Sequence, residues 1–307
     1  MSLGFVFPGQ GSQSVGMLDA LADEPVVRET FEQAAAALDF DLWALVHAGP
    51  AERLNETANT QPAMLAAGVA CWRLWQERGG AEPAVMAGHS LGEYTALVCA
   101  GALDFADALR LVRARGRFMQ EAVPAGEGAM AAILGLDDDT VKRICAEAAD
   151  DRVVEAVNFN APGQVVVAGH ADAVARAVEQ AKAAGARRAL VLPVSVPSHC
   201  SLMRPAAERL AAELKQVDLR PPRIPVINNV DVAAPDDPEA IRDALVRQLH
   251  SPVRWVEVIQ AMRTRGAERL IECGPGKVLT GLVKRIDRAL AVQPVFDADS
   301  LAQALSA

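Results

Sequence analysis

Apolar and polar positions along the chain fall into short strand-like runs that alternate with longer helical ones. Gly4-Phe5-Val6-Phe7 is an almost unbroken apolar run, as expected of a strand covered on both faces. Ala84 to Ala87 forms a second run, followed by a sharp turn and a helix from about Leu91. Near the end, "RLIECGPGKVLTGLVKRI" repeats that plan as strand, Gly-Pro-Gly turn and helix. The middle of the chain has a different order. Ala129 to Leu134 reads as a strand, and "DDDTVKRICAEAA" as a helix with acidic residues at its start. "VVEAVNF" and "QVVVAG" read as strands joined by the turn Asn160-Ala161-Pro162-Gly163. "ADAVARAVEQAKAAG" is a helix ending at Gly185, and "RRALVLPV" a last strand. This βαββαβ order is the split, ferredoxin-like unit. The pattern predicts an α/β protein in which residues 1–124 and 194–307 form one large domain and residues 125–193 a small inserted subdomain.

Composition narrows the classes of function. With 51% hydrophobic and 22% charged residues, the 307-residue chain has the make-up of a globular protein with a sizeable core. A net charge of −9 argues against nucleic acid as a partner. The five cysteines stand singly, without a CxxC pair, so zinc-ribbon and redox-pair readings fail. The N-terminus passes straight into a strand, without the basic and apolar regions of a signal peptide. No uncharged apolar run is long enough to span a bilayer. A cytoplasmic protein with no metal, no membrane and no nucleic-acid partner is expected.

Two glycine-rich turns invite a phosphate reading, and both fail it. A dinucleotide fingerprint requires G-x-G-x-x-G, but after Gly9 and Gly11 the third position is Ser14. Around Gly274–Lys277, Ile271 stands where the first P-loop glycine belongs and Val278 where Ser or Thr belongs. No nucleotide cofactor is expected.

Gly88-His89-Ser90-Leu91-Gly92 matches G-x-S-x-G, with an apolar strand entering and a helix leaving, the context a nucleophile elbow requires. Glycines two residues either side of Ser90 remove side chains that would clash in so tight a turn. The helix after it would aim backbone N–H groups at developing negative charge. Among five possible bases, His47 and His170 sit beside apparent helix ends. His89 adjoins the serine and is expected to point away from it, and His250 reads as a loop residue before Ser-Pro. His199 leads, since "VSVPSHCSLM" places it in a loop after a strand-like run. No Asp or Glu stands out in a matching position to complete a triad, which counts against a plain esterase.

"FVFPGQGSQ", "AGHSLGEYTALV", "RGRFMQ", "NAPGQVVVAG", "PVSVPSHCSLM", "INNVD", "VRQLHSPVRW" and "ECGPGKVLTGLVKR" occur in this order. Together they resemble the malonyl-CoA:acyl carrier protein transacylase family along essentially the whole chain. The resemblance implies an α/β-hydrolase-like large domain with an inserted ferredoxin-like subdomain. It implies Ser90 as nucleophile and His199 as base, with the backbone carbonyl of Gln248 orienting the histidine in place of a carboxylate. Arg115 would hold the malonyl carboxylate, and the N–H groups of Gln10 and Leu91 would form the oxyanion hole. His89, Gln61 and Asn160 would line or support the site. Malonyl-CoA and acyl carrier protein would be the substrates, and a monomer without a cofactor is expected. Basic residues at Lys277, Lys284, Arg285 and Arg288, or at Arg187 and Arg188, would supply the surface for an acidic carrier. A polyketide-type acyltransferase using malonyl or methylmalonyl groups, a thioesterase, and a carrier-binding protein without catalysis are the competing readings.

Overall fold

The computed structural model describes residues 2–194 and 196–306. Two sheets organise them. The larger has strand order β7-β2-β1-β8-β9, with β1 Leu3–Phe7, β2 Val85–Gly88, β7 Val226–Ile227, β8 Arg269–Cys273 and β9 Ala291–Val295. Every pairing in it is parallel. β1 lies at the centre with all five residues buried, which accounts for its unbroken apolar run.

Parallel strands bring their carboxyl ends to one edge, where open α/β sheets place their sites. Phe7 pairs with Gly88 at that edge, so the turns after β1 and β2 leave side by side. Asn228 and Asn229 follow the end of β7 there, and the Gly-Pro-Gly turn follows β8.

The smaller sheet is antiparallel, with order β4-β5-β3-β6, from β3 Gly128–Leu134, β4 Val154–Ala161, β5 Gln164–His170 and β6 Arg188–Val191. Its chain order is βαββαβ, with helices Asp138–Ala149 and Ala171–Ala183 packed on one face. One detail differs from the sequence reading. Ala161 pairs with Gln164, so β4 runs through Asn160 and the turn shrinks to Pro162 and Gly163. The sheet's two faces have different partners. Ala129, Ala131, Ile133, Val165 and Val167 meet the two helices. Met130, Val157, Val166 and Ala168 instead pack on Cys200, the neighbour of His199. The outer edge of β4 bonds to Val253 through Phe159 N (3.0 Å) and Val157 O (2.8 Å).

Candidate active site

Ser90 occupies the turn between β2 and the helix Gly92–Cys99, with φ of 51°, a left-handed conformation unfavourable for a residue with a Cβ. Tight backbone contacts hold it there. A Cβ on Gly92 would lie 2.1 Å from the Phe7 carbonyl oxygen, and one on Gly9 would lie 2.5 Å from that of His89. The turn after β1 therefore rests directly on the elbow. Asn229, fully buried, staples the turn from the other side. Its Oδ1 accepts from Ser90 N at 2.7 Å, and its Nδ2 donates to Gly88 O at 2.8 Å. That bond occupies the Ser90 amide. The amides of Leu91 and Gln10 meet no acceptor among the described residues and remain available as donors.

His199 comes to Ser90 from a loop in which it too is left-handed, with φ of 68°. Its Nε2 lies 2.7 Å from Ser90 Oγ, and its Nδ1 lies 2.8 Å from the Gln248 carbonyl oxygen. A carbonyl can only accept, so Nδ1 carries the proton and the bare Nε2 accepts from the serine hydroxyl. Burial, and next the charge of Arg115, hold the imidazole down at about 3. The ring is accordingly neutral at neutral pH, the form a base needs.

Arg115 lies on the helix Phe105–Ala122 and is only 1% exposed. A Cβ on the next residue, Gly116, would stand 2.6 Å from Thr57 O, so this helix presses closely on the start of helix Thr57–Glu77. That contact brings Arg115 Nη1 to Gln61 Oε1 at 2.9 Å. Nη2 donates to Gln248 Oε1 at 3.1 Å and lies 3.5 Å from Ser90 Oγ. None of these partners is charged, and Nε meets no acceptor among the described residues. The guanidinium also sits over the Tyr94 ring, 5.5 Å from its centroid. Burial lowers its pKa, but an arginine remains protonated. A buried cation whose hydrogen-bond partners are all neutral, with the Glu93 carboxyl acting on it only through space, is chemically able to take a carboxylate through parallel hydrogen bonds.

The remaining expected residues are arranged around this centre. His89 turns away from Ser90 Oγ; its Nε2 lies 2.8 Å from Asn160 Oδ1 and its ring packs edge-on against Trp255. The side chain of Gln10 reaches Thr57 Oγ1 at 3.4 Å. The other histidines serve elsewhere: His47 lies 2.7 Å from Asp19 at the surface, and His170 Nδ1 accepts from Val153 N. Two contributors had no role assigned from sequence, Asn229 and Glu93. Glu93 Oε2 accepts from Asn229 N at 2.9 Å and from Gln248 Nε2 at 2.8 Å. Burial raises its carboxyl to about 7. An acidic residue in the first turn of a helix reads as dipole compensation, which hides such a use. For Asn229 the available signal was a polar Asn-Asn pair directly after the apolar Val226–Ile227.

No helix among the described residues is long and apolar enough to cross a membrane, and no group of three or more His, Cys, Asp or Glu among them could hold a metal. The acyl transferase domain family matches residues 4–301. Malonyl CoA-acyl carrier protein transacylase of Escherichia coli K12 is 61% identical over 302 residues, covering 98% of each chain. The chain belongs to the malonyl CoA-acyl carrier protein transacylase family. An acyl-carrier-protein S-malonyltransferase of that family, from Burkholderia pseudomallei 1710b, superposes with a TM-score of 0.98 at 60% identity, covering all of both chains. A malonyl-transacylase solved in complex with a type II PKS acyl-carrier protein superposes with the same score at 57% identity, over 100% of this chain and 99% of the other. Both sheets thus belong to the family fold.

Proposed function

We infer that this acyltransferase moves a malonyl group from malonyl-CoA to the pantetheine thiol of an acyl carrier protein through an ester on Ser90. The observation that carries this reading is the buried guanidinium of Arg115, with no carboxylate among its hydrogen-bond partners, 3.5 Å from the hydroxyl whose proton His199 is placed to take. In the first half-reaction Ser90 Oγ attacks the thioester carbonyl carbon while its proton passes to His199 Nε2. The carbonyl oxygen becomes an oxyanion facing the amides of Gln10 and Leu91. Collapse breaks the C–S bond, and His199 returns the proton to the departing sulfur. In the second half-reaction the carrier thiol gives its proton to His199 and attacks the ester carbonyl. Ser90 then leaves and recovers the proton, completing a ping-pong cycle.

A thiolate leaves readily, since a simple thiol has a pKa of ~8.5, so the histidine needs no carboxylate behind it and the Gln248 carbonyl suffices. Arg115 selects the acyl group. A malonyl carboxylate pairs with it, whereas an acetyl group leaves the buried charge unpaired, a difference of about 1–3 kcal/mol. Gln61 holds the guanidinium in place, while Asn160 and His89 support the elbow. Metal and cofactor have no part in this scheme. Five buried free cysteines are in keeping with a reducing cytoplasm. For the acidic carrier we favour the exposed Lys277, Lys284, Arg285 and Arg288, with Arg187 and Arg188 as the alternative. A carrier of polyketide synthesis is the second reading for the acceptor, favoured by the relative solved with such a partner.

Intact-mass spectrometry after mixing with malonyl-CoA tests the reading. A malonyl adduct is expected on the wild type, absent from Ser90→Ala and discharged onto added carrier. Discharge mainly to water would make the protein a thioesterase instead.

A further inference from the structure

Gln248 meets the site twice. Its main-chain carbonyl holds His199, and its side-chain amide stands between the elbow and Arg115. That amide has two ends that cannot be exchanged. Its NH2 faces only acceptors, Ser90 O at 3.1 Å and Glu93 Oε2 at 2.8 Å. Its Oε1 faces a donor, Arg115 Nη2, at 3.1 Å. Rotating the amide by half a turn would set an oxygen against two oxygens and an NH2 against a guanidinium. Glu93 supplies the shorter of the two contacts that forbid this. It is itself fixed, being 2% exposed, on the first turn of the elbow helix, and bonded to the main chain of Asn229.

We propose that Glu93 is a positioning residue for acyl-group selection, locking the Gln248 side-chain amide so that its oxygen holds the Arg115 guanidinium in register with Ser90. The proposal rests on the malonyl-transfer reading above. Glu93 lies behind Gln248 and acts on Arg115 through the amide. What the position requires is an acceptor, and a carboxamide oxygen can take the place of Oε2 with its NH2 directed where Oε1 lies. Glu93→Gln is therefore a conservative replacement, whereas Glu93→Ala releases the amide. With the amide released, Arg115 loses a correctly oriented neutral acceptor, and its approach to the incoming carboxylate is no longer set. Transfer of an acyl group that lacks a carboxylate makes no use of that alignment.

The readout is the ratio of kcat/KM for malonyl-CoA to that for acetyl-CoA, measured on folded protein. Glu93→Ala is expected to lower the ratio about 10- to 100-fold, the scale of one hydrogen bond to a charged group, and Glu93→Gln to restore most of it. Gln248→Met, which keeps the main-chain carbonyl and removes the amide, is expected to give the same loss. The double variant should then be no worse than the poorer single one, because both remove one device. A role confined to folding would lower thermal stability and leave the ratio untouched. An unchanged ratio in Glu93→Ala, or in Gln248→Met should Glu93→Ala fail to fold, overturns the proposal. So do losses that add in the double variant. A wild type that forms no malonyl adduct overturns instead the reading on which the proposal rests.

Discussion

Arg115 brings together recognition and base strength in one side chain. It lies within 3.5 Å of the serine and, after burial, is the largest influence holding His199 down at about 3. A carboxylate paired with Arg115 cancels much of that field, so the substrate that fits also makes the imidazole a better proton acceptor. Arg115→Met should therefore do two things. Malonyl transfer falls while acetyl transfer is spared or rises. The base must be unprotonated to act, so raising its pKa moves the low-pH loss of rate upward. We expect the acid limb of acetyl transfer to lie at higher pH in Arg115→Met than in the wild type; an unmoved limb would show that burial alone sets the histidine. The sequence carried a signal for this residue. Arg110, Arg113 and Arg117 face solvent, whereas Leu111, Val112, Phe118 and Met119 are buried. Arg115, spaced three and four residues from them, falls on the apolar stripe.

At the scale of elements, the elbow is held by groups distant in sequence. Asn229 is 139 residues from Ser90 and bonds both ends of the turn. Asn229→Ala leaves Ser90 N and Gly88 O without their side-chain partner, and each buried group so stranded costs about 1–3 kcal/mol. A lowered melting temperature together with a slower approach to the malonyl adduct is expected; loss of stability with acylation unchanged would assign Asn229 to the scaffold alone. This contact also marks where sequence reading ends. The strand–turn–helix around Ser90 is local, and its glycines and apolar run announce it. The packing of β7 against β2, which delivers Asn229, has no local pattern. Asn160 reads from sequence as a turn residue, and lies instead in β4, for a related reason. β4 shifts register between Ala156 and Asn158 and again between Phe159 and Ala161, and such irregularities break the alternation from which strand ends are read.

Across the whole molecule, the small sheet does more than append to the large one. One face covers Cys200 beside the histidine, and the edge of β4 bonds the Val253 segment that follows Gln248. Asn160 on the same strand reaches His89 in the elbow. Serine, histidine and the carbonyl behind it are thus set by elements from both sheets. The left-handed Ser90 and His199 and the buried Arg115, which has no carboxylate among its hydrogen-bond partners, are each conformations or charges that folding alone would disfavour. Arg115 gives this a thermodynamic face. An anion that binds the native guanidinium and has no site on the unfolded chain adds to stability by mass action, about 2.7 kcal/mol at a hundredfold excess over its Kd. Free malonate should therefore raise the melting temperature where acetate at equal ionic strength does not, and Arg115→Met should abolish the difference. The resistance of this protein to heat would then follow the supply of small anions that carry the carboxylate of its acyl group, and a thermometer could read its acyl preference before any acyl group has moved.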